Sequence, residues 1–407
     1  MSDFTALSRY LTNEFTGNEK QKEGIFFTPP TIIKIVINRI QEIPDLHIEN
    51  ILEPSCGSCE IIHYLNKTYT GKNIIGIEKN IKIYDKIRNI PFENNNVTLL
   101  HRDYLQWDVL NEFKQDLIIG NPPYFVVKKA DVDESYYDML DGRPNIFLLF
   151  IINSLQKLND NGILAFILPQ NFINCAYYSK VRNYIFHNFA IIDIINTSDD
   201  LFIDTKQETF IIILQKKNDK SENLRFCLLH NIDNIIFNTP SNITKITELY
   251  ESSVSLNSLG FTVSVGTVVW NQCKDLLTDD VNNTRLIYSG DIKNNSLTTT
   301  IYKNPIKKNF IQKNGNNTPV LVLNRGYGKG KYIFNYCLVN LTTPYLIENH
   351  LMVIKHKGGL PIEDLLPRYQ QIINSFCNPK TKEFVNIYFG NNAINTTELK
   401  FTLPIYL

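Results

Sequence analysis

The segment Asn121-Pro122-Pro123-Tyr124 combines residue types that could hold an amino group for chemistry, and it directly follows an apolar run over 117–120. Two prolines cannot continue a strand, and they fix the backbone so that the Asn121 side-chain oxygen and the Pro122 carbonyl can face one point as acceptors. Exocyclic amines are weak nucleophiles, and two acceptors on their hydrogens would favour the nucleophilic, pyramidal form. The Tyr124 ring could stack on an extruded base, a contact worth about 1–3 kcal/mol. An ordinary proline turn is the alternative interpretation.

Three acidic residues stand at the ends of three consecutive predicted strands: Glu53, Glu78 and Asp103. In doubly wound sheets these strand ends bind nucleosides, and a carboxylate ending the second strand typically binds ribose hydroxyls. Asp103 could accept a hydrogen bond from an adenine amino group. The small-residue loop 55–59 would let the backbone approach a ligand closely, although any turn from strand to helix favours small residues. The combination predicts a nucleoside pocket without specifying the nucleoside.

These motifs together resemble the amino-methyltransferases of the class I fold. Their order, a cofactor motif before the catalytic motif and then a separate recognition domain, is that of the gamma group of N6-adenine DNA methyltransferases from restriction-modification systems. The segment Phe26-Phe27-Thr28-Pro29-Pro30 precedes the loop 55–59, as in that group. The resemblance covers roughly residues 20–216. It departs at Cys59, where the family usually has glycine, which puts close helix packing in doubt, and at Phe125, where a small residue often follows the motif.

The resemblance implies S-adenosyl-L-methionine as cofactor, with S-adenosyl-L-homocysteine as product and no metal. It implies catalytic roles for Asn121, Pro122, Pro123, Tyr124 and Phe202. Of these, Phe202 would cover the second face of the flipped base, or it could equally be a core residue. The implied cofactor-binding residues are Phe27, Thr28, Glu53, Ser55, Cys56, Gly57, Glu78, Asp103, Tyr104, Asn121 and Pro123. Cys56 and Cys59 have the spacing of a zinc-binding pair, but no second ligand pair accompanies them in the sequence, which argues against a zinc site.

The alternation of apolar runs and helical periodicity between residues 50 and 217 predicts an α/β fold with one doubly wound, mostly parallel, seven-stranded Rossmann-like sheet. The predicted strands are 51–53, 74–78, 97–101, 117–120, 163–168, 191–195 and 209–215, and helices are predicted over 31–41 and 145–158. This alternation stops near residue 220. We therefore predict a catalytic, cofactor-binding domain over 1–220 and a mixed α+β DNA-recognition domain over 221–407, whose last helix spans 367–376.

The formal net charge is zero, but the charges are unevenly distributed. Between residues 293 and 357 ten basic residues accompany one acid, Glu348, which predicts a phosphate-binding face or, alternatively, a solvated lysine-rich surface. Arg325, Lys329 and Lys331 lie among glycines in this region and are the DNA-binding candidates. A basic hairpin turn without a ligand is the alternative.

The seven cysteines lack the spacing of a secreted disulfide framework, and no apolar run approaches the roughly 18–20 residues that cross a bilayer. We expect a cytoplasmic protein of a bacterium or virus, without a membrane partner. Its expected partner is double-stranded DNA, together with a separately acting cognate restriction endonuclease where one exists. Other functions stay open: N4-cytosine methylation, methylation of RNA or of a protein glutamine, and a DNA-binding subunit without activity.

Overall fold

The computed structural model describes residues 4–107, 114–142, 144–197, 208–231, 234–325, 334–389 and 394–407. The chain divides into two compact units, Met1–Ile243 and Thr244–Leu407. The first unit therefore continues beyond residue 220, because a two-stranded hairpin packs against it. Within that packing, the buried Arg182 guanidinium donates to the Ile235 carbonyl oxygen at 2.6 Å. The Phe237 ring also lies edge-to-face on Phe172.

The first unit is built on a seven-stranded sheet with the strand order β3-β2-β1-β4-β5-β7-β6. The strands are β1 (Asn50–Glu53), β2 (Asn73–Glu78), β3 (Asn96–His101), β4 (Gln115–Gly120), β5 (Leu158–Pro169), β6 (Ala190–Asn196) and β7 (Thr209–Gln215). The five strands from β3 to β5 pair in parallel, whereas β7 runs antiparallel between β5 and β6. The predicted fold class is confirmed.

Helices cover both faces of this sheet. They are α1 (Ala6–Glu14), α2 (Gly17–Glu23), α3 (Pro30–Gln41), α4 (Glu60–Thr68), α5 (Ile81–Ile87), α6 (Ile146–Gln156) and α7 (Ser179–Asn188). Alternate residues of β4 enter different cores: Ile118 packs with α6 and α7, and Leu117 packs with α3, α4 and α5. Burial on both faces explains the continuous apolar runs that made these strands recognisable in the sequence. The hairpin is formed by β8 (Cys227–Asn231) and β9 (Asn234–Phe237), and α8 (Pro240–Tyr250) follows.

The second unit contains two four-stranded sheets, with the orders β11-β20-β17-β18 and β12-β16-β13-β19, and two short strand pairs, β10-β21 and β14-β15. Its strands are β10 (Ser253–Val254), β11 (Phe261–Val265), β12 (Leu277–Thr278), β13 (Thr284–Ile287), β14 (Ile292–Lys293), β15 (Ser296–Leu297), β16 (Phe310–Ile311), β17 (Val320–Asn324), β18 (Tyr336–Val339), β19 (Tyr345–Ile347), β20 (Leu351–His356) and β21 (Ile405–Tyr406). Its helices are α9 (Ile362–Cys377), α10 (Pro379–Tyr388) and α11 (Thr396–Phe401).

The prediction that the last helix spans 367–376 is wrong, because α10 and α11 follow it. The helix at that place is α9, which begins five residues earlier, at Ile362, and contains Pro367 in its interior. Pro361, and not Pro367, directly precedes the first residue of this helix. Within the described ranges, no helix is long and apolar enough to span a membrane.

Candidate cofactor and methyl-transfer site

A cavity of about 450 Å³ lies at the carboxyl ends of β1 to β4. Its walls include Ser55 and Gly57 after β1, Glu78 at the end of β2, Asp103 after β3, and Asn121 after β4. The N-terminal segment 22–27 and two apolar side chains of α6 also belong to the lining. This volume lies in the range of small-molecule sites, and the position is where doubly wound sheets bind nucleotides.

Glu78 is fixed at the edge of the loop that follows β1. The Gly57 amide donates to Glu78 Oε2 at 2.9 Å, and the Asn80 amide donates to Oε1 at 2.7 Å. Burial raises the pKa of Glu78 to about 7, although these amide donors oppose the shift. Each carboxylate oxygen keeps acceptor capacity for a ligand hydroxyl.

Cys59 ends the loop in the left-handed backbone region, with φ of 62°. The side chain is fully buried at the start of α4. A residue other than glycine costs about 1–2 kcal/mol in this conformation. The left-handed backbone conformation therefore favours glycine at this position, in addition to any effect of close helix packing.

Three residues predicted to bind the cofactor do not line the cavity. Glu53 is 2% exposed, and burial together with the neighbouring Cys59 and Glu78 raises its pKa well above the usual range. Cys56 is buried, and its amide donates to the Ile77 carbonyl at 2.8 Å. Thr28 is buried just before α3. These three side chains are therefore buried outside the lining of the cavity.

Asp103 and Tyr104 do line the cavity, but they already have partners. The Asp103 carboxylate lies 2.8 Å from the largely exposed ammonium of Lys79, and it also accepts from the Leu105 amide at 3.1 Å. The Tyr104 hydroxyl is hydrogen-bonded to Ser154 Oγ at 2.8 Å. Tyr104 therefore offers its ring to a ligand, while Asp103 offers an acceptor.

The carboxamide of Asn121 is held in one orientation by two neighbours. Its Nδ2 donates to the Phe26 carbonyl at 3.3 Å, and its Oδ1 accepts from the Tyr124 hydroxyl at 2.6 Å. The Tyr124 hydroxyl also lies 2.7 Å from the Ile167 carbonyl, and its ring meets Phe147 edge-on at 6.1 Å. The carbonyl of Phe26 can only accept, so it requires the amide nitrogen of Asn121 on its side. One lone pair of Oδ1 is left for another donor.

Gly24 brings the N-terminal segment 22–27 against residues 121–124, the predicted catalytic loop, a contact that the sequence analysis missed. Gly24 ends α2 with φ of 69°, and a Cβ on it would lie 2.5 Å from the Cβ of Pro123. A glycine directly after a helix with lysines in its last turn is a typical helix-ending signal. That signal predicts the end of α2, although not the contact with Pro123.

A second missed contact attaches α1 to residues 55–59, the predicted cofactor loop. The amide and hydroxyl of Thr5 donate to Glu60 Oε1 at 2.8 and 2.7 Å. The Ser8 hydroxyl contacts the same carboxylate and lies 2.7 Å from Ser58 Oγ. Ser8, Ser58 and Glu60 are all buried. Because Glu60 is the first residue of α4, this network attaches α1 to the end of the loop 55–59.

Some predicted residues cannot be placed in this way. Phe202, Lys329 and Lys331 lie outside the described residues. Arg325 is described and exposed, directly after β17.

The sheet order, with its one antiparallel strand, and the cavity at the strand ends define a methyltransferase of the class I, S-adenosylmethionine-dependent fold. Residues 2–284 match the family described as N-6 DNA Methylase, and the chain belongs to this family.

Individual relatives are about a quarter identical to the chain over the regions that align. It is 26% identical over 392 residues to the type II methyltransferase M.CvrRI of Paramecium bursaria Chlorella virus XZ-6E, with 95% of each protein covered. It is 28% identical over 217 residues to the modification methylase CviBIII of Paramecium bursaria Chlorella virus NC1A, which covers 53% of this chain and 55% of the relative. The solved DrdV-DNA complex is similar in fold, with a TM-score of 0.52 and 14% identity over 98% of this chain and 57% of that one.

Proposed function

We propose that this methyltransferase modifies the N6 amino group of an adenine that is flipped out of double-stranded DNA, at a specific site, as part of a restriction-modification system. The observation that carries this proposal is the oriented carboxamide of Asn121 beside a nucleoside-sized cavity. The family description and the type II methyltransferases among the relatives support DNA as the substrate.

The cavity fits S-adenosylmethionine. Glu78 would accept hydrogen bonds from the ribose hydroxyls of the cofactor, and Asp103 would accept one from the amino group of its adenine. At Gly57, φ is 50° and a Cβ would lie 3.4 Å from the Phe27 ring, so the backbone and this ring leave a narrow cradle for the methionine part. When bound, the cofactor supplies an electrophilic methyl group.

The residues after β4 would hold the nucleophile. The remaining lone pair of Asn121 Oδ1 and the carbonyl oxygen of Pro122 would each accept a hydrogen bond from the amino group of the target base. These two bonds would orient the lone pair of the amino nitrogen, so that no strong base is needed. The Tyr124 ring would stack on one face of the flipped adenine, and Phe202 would cover the other face. Pro123 shapes the cavity wall next to this point.

The second unit would bind the duplex. Its support is the excess of lysine and arginine between residues 293 and 357, which suits contacts to phosphates. Arg325, Lys329 and Lys331 are the candidate contacts in this unit. A cognate restriction endonuclease acting as a separate protein is the expected functional partner.

The test is to incubate the protein with radiolabelled S-adenosylmethionine and unmethylated genomic DNA, and to identify the labelled nucleoside after digestion. We expect label in N6-methyladenine, and we expect Asn121→Ala to lose turnover while calorimetry still shows cofactor binding. Label in N4-methylcytosine would change the target base but keep the mechanism. Label only in added RNA or protein would refute the assignment of DNA.

A further inference from the structure

Ile301 is the most exposed of the large apolar residues in the described parts of the second unit, with 94% of its surface accessible. Single exposed apolar residues are common on protein surfaces and need no explanation by themselves. Ile301 differs in that the structure holds the residues on both sides of it.

The two neighbours of Ile301 are bonded to the same buried oxygen. The Thr300 amide and the Tyr302 hydroxyl each donate to Asp291 Oδ1 at 3.0 Å. Asp291 is fully buried, and its other oxygen lies 3.3 Å from the Arg285 guanidinium. The backbone around Ile301 is thus fixed, and the side chain can avoid solvent only if a partner covers it.

The returning arm of the same loop is also anchored. The ammonium of Lys307 lies 4.1 Å from the ring centroids of both Tyr288 and Tyr302, and 5.7 Å from that of Trp270. Such cation–π contacts are stronger when the cation is partly shielded from water, as Lys307 is. The loop 298–309, which we call the Ile301 loop, is therefore held on both sides of its exposed tip.

The charge around the tip selects the kind of partner. Lys303 is exposed on the Ile301 loop, and no acidic residue occurs in the sequence between Asp291 and Glu348. One cation of the loop, Lys308, is paired with Asp279. An apolar tip beside the exposed Lys303 matches duplex DNA, whose phosphates attract a lysine and whose stacked bases accept an apolar side chain.

We propose that Ile301 is a wedge that inserts at a base-pair step of duplex DNA and locally unwinds it. The inference rests on the proposed DNA substrate and adds a residue that deforms the duplex. Insertion of an aliphatic wedge unstacks neighbouring base pairs, which allows more protein surface to contact the DNA.

The experiment compares Ile301→Ala with Ile362→Ala in the full chain. Ile362 is a matched control, because it is 55% exposed in the same unit but is followed by two acids, Glu363 and Asp364. Both variants should keep the wild-type melting temperature, since neither side chain is buried. The readouts are affinity for a closed circular plasmid, the change in linking number after topoisomerase I relaxes that plasmid with the protein bound, and self-association by sedimentation.

We expect Ile301→Ala to bind the plasmid about tenfold more weakly or worse, and to lose most of the unwinding, while Ile362→Ala matches the wild type. Ile301→Lys separates insertion at a base-pair step from contact with a phosphate. A lysine can contact a phosphate, so this variant should keep its affinity for the plasmid, but it should lose the unwinding. Equal unwinding by Ile301→Ala and Ile362→Ala would overturn the wedge while leaving methylation intact. A loss of self-association in Ile301→Ala with unwinding retained would also overturn it, and would assign the tip to a second copy of the chain. If the wild type neither binds nor methylates DNA, both proposals fail.

Discussion

A methyl group added at Gly24 should disturb the catalytic loop, because Gly24 and Pro123 are already in close contact. A Cβ on Gly24 would lie 2.5 Å from Pro123 Cβ, 2.9 Å from Pro123 Cα and 3.1 Å from the Tyr124 amide. Separating them to an ordinary contact of 3.4 Å requires a shift of about 1 Å. A displacement of this size at a reacting group can lower the rate about a hundredfold.

Two other glycines of the first unit separate the causes. Gly71 has φ of 70°, close to the 69° of Gly24, but nothing lies within 4 Å of a Cβ placed there. Gly71→Ala therefore incurs only the backbone cost, about 1–2 kcal/mol. Gly24→Ala incurs this cost plus overpacking of about 1–3 kcal/mol. Gly17, at the first position of α2, has open space and no positive φ, so Gly17→Ala should have little effect.

The assay measures urea unfolding and single-turnover methyl transfer at saturating cofactor for these three variants. We expect Gly17→Ala to be the most stable variant, Gly71→Ala to be intermediate and Gly24→Ala to be the least stable. Only Gly24→Ala should lose methyl-transfer rate, by about a hundredfold. A methyl-transfer rate for Gly24→Ala within about threefold of that for Gly71→Ala would refute the coupling between the N-terminal segment and the catalytic loop.

Three further predictions concern the cofactor loop. Burial raises the pKa of Glu78 to about 7 from a usual 4.5, so the ligand-free folded protein retains a proton that the unfolded chain releases, and its free energy of unfolding should fall as the pH rises from 4.5 to about 7. Glu78→Gln should make this fall smaller in urea titrations at each pH, and the fall that stays belongs to other buried acids with a raised pKa, such as Glu53. The free energy of unfolding of Cys59→Gly should stay within about 1 kcal/mol of the wild type, because the relief of backbone strain offsets the loss of a buried side chain. Cys59→Val places a β-branched residue in the same backbone conformation, and its free energy of unfolding should be lower by about 2 kcal/mol or more in the same titrations. Ser8→Ala removes the hydroxyl that joins α1 to Ser58 and Glu60, so steady-state kinetics should show a several-fold higher KM for S-adenosylmethionine with a nearly unchanged kcat. An unchanged KM would show that the loop 55–59 is independent of α1.

The sheet was predictable because its strands are buried on both faces. The predicted strand 209–215 agrees with β7 at both ends, and 191–195 lies within β6. The second unit was harder to predict. Its strands β12, β14, β15 and β16 have two residues each, too short for a periodicity of burial to show. The proline in α9 also obscured the start of that helix.

The walls of the site were partly predictable. Glu78, Asp103 and Asn121 could be predicted to line the site because they follow strand ends, and the topology of a parallel sheet places those ends at one edge. Burial could not be predicted in the same way. The sequence presents Glu53 and Glu78 as equivalent strand-end acids, yet only Glu78 faces the cavity.

The contacts that orient Asn121 join residues far apart in sequence, which is why the motifs looked independent. The Phe26 carbonyl that fixes its amide lies 95 positions earlier, and Gly24 in the same segment packs on Pro123. If Asn121 is to accept a hydrogen from an amine, its oxygen must face away from the chain that binds its nitrogen. In the proposed mechanism, the N-terminal segment 22–27 would therefore set which atom of Asn121 the substrate meets, besides lining the cavity for the cofactor. A change at Gly24 should consequently alter methyl transfer even though it leaves every residue of Asn121-Pro122-Pro123-Tyr124 in place.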